Sequence, residues 1–477
     1  MNHHLLTPRL TSVTLLTAVL LVAGCASGIQ PAGRLPATPT PSDWSIPTDA
    51  ALPGQPAGTL AMWWNNFNDP QLTELVTLAL QANTNIRNAQ FALQQARALR
   101  DVAAANRLPT VSASASAQGS NTVNTNTTSD TYKAGFDASW EPDVFGARRS
   151  ALTATEADAE AAAANLAQIR VSMAAEVAVS YIELRGLQSR LAIARNNLAT
   201  QNETLQITTW RHQAGLASSL DLEQAITAAE QTRAQIPTLD ISIRQNMNLL
   251  AVLTGQAPGT LQRTLDTAAA VPQAAQNLAV AFPADTLRQR PDVRTAEQRI
   301  SAALARVAQA DAARYPSFKL SGSLGLSAAR LEDLTGPTGL VRTLLASVTG
   351  PLFDAGAAKA QVRAQTAALE QARVSYEATV LSALQDVENA LVALQGNRER
   401  VARLQAAADA ATNAELLARH RYASGLIDFR SVLETQRTLL TTQDNLASTR
   451  TTLSADHVRL YKALGGGWTP DNLSAQP

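Results

Sequence analysis

The chain lacks nearly everything that would brace a small globular fold or run a reaction. It has one cysteine, Cys25, in 477 residues, so no disulfide can close within it. Aromatic residues make up only 4%, which excludes the thick aromatic core of a typical globular enzyme. Alanine, leucine, glutamine, threonine and arginine dominate instead, the composition of long helices packed through small residues. Neither sign of charge is in excess, with 39 basic and 39 acidic residues. The whole-chain field therefore offers no pull toward nucleic acid or anionic lipid. Beyond the first 25 residues no stretch approaches the roughly 18 consecutive apolar residues of a membrane-spanning helix. Any crossing by the folded part must then be a β-barrel. There is no Walker loop, nucleophile elbow, zinc motif or dinucleotide fingerprint, so no catalytic constellation stands out. His212 and His420 lie near the ends of the two predicted long helices. They lack a His-x-x-x-His spacing and read as surface residues, not metal ligands. Glu332-Asp333 falls between two predicted strands and reads as an outer loop, not an acid–base pair.

What is present begins at the amino terminus. Residues 1–9 carry two histidines and Arg9, Leu10 to Gly24 form an apolar run, and Leu21-Val22-Ala23-Gly24 leads into Cys25. A positive head, a short apolar stretch and small residues before a cut make a secretory signal, predicted over 1–24. The run falls short of the roughly 20 residues that a span needs. A cysteine directly after Ala-Gly resembles the lipobox of bacterial lipoproteins, which implies N-palmitoyl and S-diacylglycerol groups on Cys25. Ala26, not aspartate, follows it, which by the rule for such lipoproteins implies the outer membrane. No other cofactor is expected. Residues 25–60 are rich in Pro, Ala, Thr and Gly with no apolar period, and read as an extended tether wrapping the body. The folded part is expected from Trp63-Trp64 to near Trp468, with 469–477 a disordered tail.

That folded part is an internal duplication, predicted as a first repeat over 61–270 and a second over 271–468. Asn85-Ile86-Arg87 followed by Arg107-Leu108-Pro109 recurs as Asp292-Val293-Arg294 followed by Arg314-Tyr315-Pro316, with the prolines 207 apart. Val144-Phe145 recurs as Leu352-Phe353 at 208, and Gly186 and Gly215-Leu216 recur as Gly396 and Gly425-Leu426 at 210. A slowly drifting offset is what two copies with small insertions give.

Each copy reads as helix, strand, strand, long helix, tight turn, helix. First helices are predicted from about Pro70 to Arg107 and from about Pro283 to Arg314, each ending before a proline that forces the chain out of the α region. The period then changes from 3.6 to 2. Strands are predicted near 110–120 and 132–141 in copy one, and near 317–327 and 341–350 in copy two. Tyr132, Ala134, Phe136, Ala138 and Trp140 share one face opposite Lys133, Asp137, Ser139 and Glu141; Phe318, Leu320, Leu324 and Leu326 alternate with Lys319, Ser321, Ser323 and Ser327. Two such hairpins in a lipidated chain fit the apolar-out, polar-in pattern of a membrane barrel.

Long helices are predicted from about Gly146 to Gly215 and from about Gly356 to Gly425. At 1.5 Å per residue, 70 residues reach about 105 Å, wider than a compact domain, so they must project as a rod or tube. Val177, Leu184, Leu187, Leu191 and Leu198 follow a coiled-coil-like spacing. Gly186 and Gly396 sit mid-helix, where glycine costs about 1 kcal/mol against alanine, and predict a bend or a close helix approach. Both long helices end at glycine turns, Gly215-Leu216-Ala217 and Gly425-Leu426-Ile427, and return as shorter helices. Pro237 predicts a break or kink in the first return helix; Gly465-Gly466-Gly467 stops the second. Two hairpins give four strands, and an open four-stranded sheet would face lipid with unpaired edges. The smallest well-attested closed membrane barrels have about 8 strands, so at least two copies must share one barrel.

Several ordered blocks then name a family. Trp64, Phe67, Asp69-Pro70, Leu72, Leu75, Ala79-Leu80 and Asn83 resemble the opening block of outer-membrane efflux proteins. Arg290-Pro291-Asp292-Val293-Arg294 with Ala296-Glu297 and Tyr315-Pro316 resembles their second-copy signature, and Leu352-Phe353-Asp354 with Gly356 resembles a further block. The likeness spans about residues 20 to 468 and is nearest to nodulation-type efflux lipoproteins of resistance–nodulation–division pumps. It implies a mixed α and β membrane protein. Four strands per protomer would enter a 12-stranded barrel shared by a homotrimer, set on a coiled-coil-like helical tube in the periplasm. It also implies two partners, a periplasmic adaptor (membrane fusion) protein and an inner-membrane resistance–nodulation–division transporter. The adaptor would dock at the tips, here Gly215, Leu216, Ala217, Gly425, Leu426 and Ile427. The channel would close at rest through a tyrosine–aspartate bond, matched by Tyr422 and Asp221. An acidic ring is expected just inside the second tip; Ser431 replaces its first carboxylate, leaving Glu434, with Arg430 nearby.

These residues point to a passive efflux duct for small molecules. An exit channel for type I protein secretion would use the same fold, and a structural envelope-tethering coiled-coil lipoprotein would not need the two amphipathic hairpins.

Overall fold

The computed structural model describes residues 60–122, 127–274, 289–334 and 339–468, together with positions 36, 41, 43–45, 287 and 336. Cys25, the signal region and residues 469–477 lie outside the described residues. The elements are helices α1 (Pro70–Ala82) and α2 (Thr84–Ala105), strands β1 (Thr110–Thr122) and β2 (Thr127–Trp140), and helices α3 (Ala147–Gln213) and α4 (Ser219–Leu253). There follow α5 (Pro291–Ala312), β3 (Ser317–Ala328), β4 (Leu340–Thr349), α6 (Ala357–Ala423) and α7 (Phe429–Ala463). Helix α3 and helix α6 are each 67 residues long and both return helices are 35, as two copies of one plan require. Among the described residues no helix is long and apolar enough to cross a membrane.

Two compact units form, each drawn from both repeats. The described part of one is Leu93–Ala162 with Thr295–Glu377, and the other is Thr38–Ala92, Ala163–Arg294 and Ala378–Pro477.

The first unit holds the sheet, an antiparallel meander in the order β1-β2-β3-β4. Its register places Phe136 opposite Leu324, Ala134 opposite Leu326 and Trp140 opposite Leu320 on one face, with Lys133 opposite Ser327 and Asp137 opposite Ser323 on the other. Strand β1 follows suit, setting Val111 and Ala113 on the apolar face and Ser112 and Ser114 on the polar one, where Ser114 donates to Asp137 at 2.8 Å. Strand β4 departs from clean alternation, because Arg342 lies opposite Leu324 on the apolar face while Val341 and Leu345 lie on the other. Beside the sheet, Ile300, Ala303 and Val307 of α5 pack on Leu369 of α6, and Arg306 pairs with Asp158 of α3 at 2.5 Å.

The second unit is helical and contains the main core. Trp63 and Trp64 lie in a short 3₁₀ turn and bury against α1, the middle of α3, the end of α4 and Tyr461 of α7. The Trp63 ring stacks on Tyr461 at 5.3 Å and meets Phe67 edge-on at 6.1 Å. Asp69 caps α1 by accepting from the Gln71 and Leu72 amides, and its other oxygen accepts from the Tyr181 hydroxyl at 2.9 Å. Burial pushes the Tyr181 phenol up to about 12, so it stays a proton donor to that carboxylate. Of the predicted tether, Trp44 packs against the cluster of Val387, Leu391 and Leu394 on α6, and the Ser45 amide donates to Glu388 at 2.9 Å.

Three sequence expectations need correction here. The single first helix over 70–107 is two helices, interrupted at Asn83. That side chain caps α2 by accepting from the Asn85 amide at 2.8 Å, and its amide donates to the Leu253 carbonyl at 2.8 Å. In copy two, Leu287 and Gln289 are helical, Arg290 is not, and α5 begins at Pro291; residues 283–286 lie outside the described residues. Arg290 does the work of Asn83 with different chemistry, donating to the Ala463 carbonyl at 2.8 Å. Each break is met by a left-handed glycine just past a return helix, Gly255 and Gly465. A Cβ on Gly255 would stand 2.5 Å from the Ala82 carbonyl oxygen, so only glycine admits that approach. Of the break or kink predicted at Pro237, the break does not occur: α4 is assigned as one helix from Ser219 to Leu253. The two mid-helix glycines also differ: a Cβ on Gly186 would lie 2.9 Å from Thr451 Cβ, while one on Gly396 would meet nothing within 4 Å. A close approach exists at the first glycine alone.

His457 of α7 is buried, its Nδ1 on the Leu453 carbonyl at 2.9 Å and its Nε2 facing the Arg398 guanidinium at 3.4 Å. Burial pushes this imidazole below its ordinary value and Arg398 adds to the shift, against opposing pulls from Leu453 and Asp456. A depressed histidine contributes stability that is complete above its unfolded value of about 6.5 and is lost as pH falls through the folded one. We expect thermal melts of the wild type to fall between pH 7.5 and 5.5 by more than those of His457→Gln. Equal falls in the two proteins would remove His457 as the source.

Candidate functional site at the paired turns

Each long helix ends in the same backbone device. Gly215 and Gly425 take φ of +71° and +73°. The Gly215 and Leu216 amides donate to the His212 and Arg211 carbonyls at 2.9 and 2.7 Å, and the Gly425 and Leu426 amides to the Tyr422 and Arg421 carbonyls at 2.9 and 2.8 Å. This is the Schellman closure, which needs a residue free of Cβ strain at the left-handed position. It leaves Leu216 and Leu426 exposed at the turn apices while Ile427 tucks against Tyr422, Phe429 and Val432.

The return helices start on matched but inverted caps. Ser218 caps α4, and Asp221 at its third position accepts back from the Ser218 amide at 3.0 Å and hydroxyl at 2.8 Å. In the second turn Asp428 is the cap and Ser431 donates to it, from its amide at 3.0 Å and its hydroxyl at 2.5 Å. The Ser431 bonds and the nearby Arg430 hold the Asp428 carboxyl below the usual carboxylate range. The serine that stands where an acidic ring residue was expected is thus used by the cap. Glu434 and Arg430 are both exposed.

The expected bond between Tyr422 and Asp221 is not made within this chain. Asp221 is spent on its own helix cap, since Ser218 offers two donors within three residues. Tyr422 is 5% exposed, with its hydroxyl 3.4 Å from Thr208 and its ring 5.6 Å from that of Phe429. Arg211 makes the connection between hairpins instead. Its guanidinium lies 4.6 Å over the Tyr422 ring and donates to the Tyr422 carbonyl at 2.6 Å. A cation at the last turn of α6 is favoured twice, by the aromatic face and by the helix macrodipole.

Behind the turns the helix seam changes character. In the middle of α3 the buried positions include Val177, Leu184 and Leu191, with Arg185 and Gln188 among them. Toward the turn they become Asn197, Gln201, Thr204 and Thr208, spaced four, three and four residues apart. Asn197 donates to Gln443 at 2.9 Å and Thr204 accepts from Gln436 at 2.9 Å. Gln201 and Glu415 each keep a buried oxygen without a hydrogen-bond partner. Arg211 and this polar stripe escaped the sequence reading. The heptad step continues through the stripe in the sequence, but an apolar period does not see it. Among the described residues no cluster of three or more His, Cys, Asp or Glu could hold a metal ion.

The duplication, the amphipathic meander and the paired long helices together define an outer-membrane efflux channel fold. The profile of the outer membrane efflux protein family matches this chain twice, over residues 75–256 and 282–466, and the chain belongs to that family. It is 30% identical to the pyoverdine export outer membrane protein OpmQ of Pseudomonas aeruginosa, over 96% of this chain and 98% of that one. It is 29% identical to nodulation protein T of Rhizobium leguminosarum, over 96% and 93%. Among solved structures, the outer-membrane channel OprN superposes with a TM-score of 0.83 at 34% identity, covering 92% of this chain and all of that one. CusC gives 0.82 at 25% identity over the same 92%.

Proposed function

We propose that this protein is the outer-membrane exit duct of a tripartite efflux pump, a passive water-filled path for small molecules. One observation supports this most: the meander has an apolar face and leaves its edge strands β1 and β4 unpaired in a single chain. Unpaired backbone costs several kcal/mol per group in lipid, so copies must join edge to edge. Three copies of four strands make a 12-stranded closed barrel. Energy and substrate choice belong to an inner-membrane resistance–nodulation–division transporter, reached through a periplasmic adaptor. The adaptor docks at Gly215, Leu216, Ala217, Gly425, Leu426 and Ile427, where the exposed leucines supply an apolar contact. Cys25 carries the N-palmitoyl and S-diacylglycerol anchor. Relatives named for pyoverdine export and toluene efflux favour small cargo over secreted protein.

At rest the entrance is held by the Arg211–Tyr422 clamp, with Glu434 forming a modest acidic constriction beside Arg430. The polar seam behind the turns costs less to expose to water than an apolar one. In planar bilayers Arg211→Ala is expected to raise single-channel conductance, while Asp221→Asn, which touches only a helix cap, leaves it near wild type. The reverse pattern would return the lock to Asp221. Deleting the gene should raise accumulation of a small hydrophobic dye, restored by the wild-type copy. Unchanged accumulation alongside lost secretion of a protein would move the reading to type I export.

A further inference from the structure

The internal duplication makes a specific prediction about the joint between copies. Within the chain, Phe145, just past β2, is half-buried against the start of the next hairpin: its ring stacks on Tyr315 at 4.9 Å and lies 6.3 Å from Phe318. The equivalent of Phe145 in copy two is Phe353, just past β4, and the equivalents of Tyr315 and Phe318 in copy one are Leu108 and Val111, at the start of β1. All of these are open to solvent: Leu352 and Phe353 are 104% and 91% exposed, Leu108 and Val111 66% and 70%. One half of a filled joint therefore stands at each free edge of the sheet, a plug after β4 and a slot at β1.

We propose that Phe353 of one copy seats on Leu108 and Val111 of a second copy, repeating between chains the Phe145–Tyr315 joint made within each chain. This rests on the duct reading, in which β4 meets β1 of a neighbour, and deepens it by naming the contact. A second observation runs alongside. On α5, Arg306 pairs with Asp158 of α3, and Gln309 lines a cleft shared with Ala147 and Ala151 at the start of α3. Their equivalents on α2, Leu99 and Val102, are exposed and apolar. The equivalent of the α3 start is the alanine-rich first turn of α6, which directly follows Phe353. Plug and helix start thus arrive together on the slot and the α2 face. The occupant is a second copy of this chain, because each exposed part is the duplicate of a part already paired. Burying the Phe353 side chain removes apolar surface from water, so the joint would lock strand register as well as exclude lipid.

The test uses full-length chains expressed in the outer membrane. Tagged Phe353→Cys is co-expressed with untagged Leu108→Cys, and membranes are oxidised and run without reductant. Expected is a heterodimer band that appears only when both variants are present, since each single variant controls for Cys25. The double variant in one chain should give a ladder ending at three subunits. Phe145→Cys with Tyr315→Cys serves as the internal reference and should close within one chain. A trimeric native mass in detergent with the reference link formed, but no bond between chains, overturns the joint and leaves the duct reading standing. In that case, labelling of the position-353 thiol by a lipid-soluble maleimide would name lipid as the occupant. A monomeric native mass overturns the duct reading and the joint together.

Discussion

Replacing Trp63 by alanine is expected to lose about 3–5 kcal/mol from the helical unit, the range for deleting a large buried aromatic side chain. Trp63 is fully buried, stacked on Tyr461 and edge-on to both Trp64 and Phe67. It joins the amino-terminal turn of the fold to the last helix, so its loss should loosen both ends of the chain at once. Its indole Nε1 has no hydrogen-bond partner, and that changes the ranking of substitutions. Trp63→Phe removes an unsatisfied donor along with part of the ring, so its loss should be clearly smaller than that of alanine. Denaturant titration or thermal melting in one detergent would read the difference. A Trp63→Ala protein as stable as wild type would show that the aromatic cluster does not hold the unit together.

Alanine at the two duplicated mid-helix glycines is expected to act with opposite signs. In a free helix either change would gain about 1 kcal/mol. At Gly396 nothing stands within 4 Å of the added methyl, so that gain should appear as a raised melting temperature. At Gly186 the methyl would collide with the Thr451 side chain, including its Cβ at 2.9 Å. A β-branched residue cannot swing clear by rotating χ1 alone. Overpacking of this kind costs about 1–3 kcal/mol, which exceeds the helical gain. Gly186→Ala should therefore melt lower than wild type, and Gly186→Ala with Thr451→Ala should recover. Shifts of the same sign at both glycines would show that helix propensity alone governs these positions.

The sequence carried the architecture because its signals are periodic and repeated. The change from a period of 3.6 to 2 after Pro109 and Pro316 marks strands that form at Thr110 and Ser317. The glycines at 215 and 425 mark turns because only glycine, having no Cβ, takes positive φ freely. The break at Asn83 was less legible: asparagine is tolerated inside a helix, and only contact with the Leu253 carbonyl selects its capping role. The break that Pro237 could have made does not form. A proline removes one backbone donor, but 35 residues of return helix packed on α3 outweigh that local loss.

The site divides along the same line. The positions of both turns and their exposed leucines could be read from residue type, since local backbone chemistry decides them. The pairing across the turns could not. Asp221 carries a charge free to bond anything within reach, and a serine three residues away claims it before any distant tyrosine does. Arg211 looks in the sequence like any basic residue at a helix end; it becomes the clamp only where the second hairpin brings the Tyr422 ring beneath it. By itself, then, the sequence determined the repeat, the element types, the amphipathic faces and the turns, all of which rest on interactions within a few residues. Tertiary structure alone decided which carboxylate, cation and glycine meet which neighbour, because those energies exist only once residues some 200 positions apart are brought into contact.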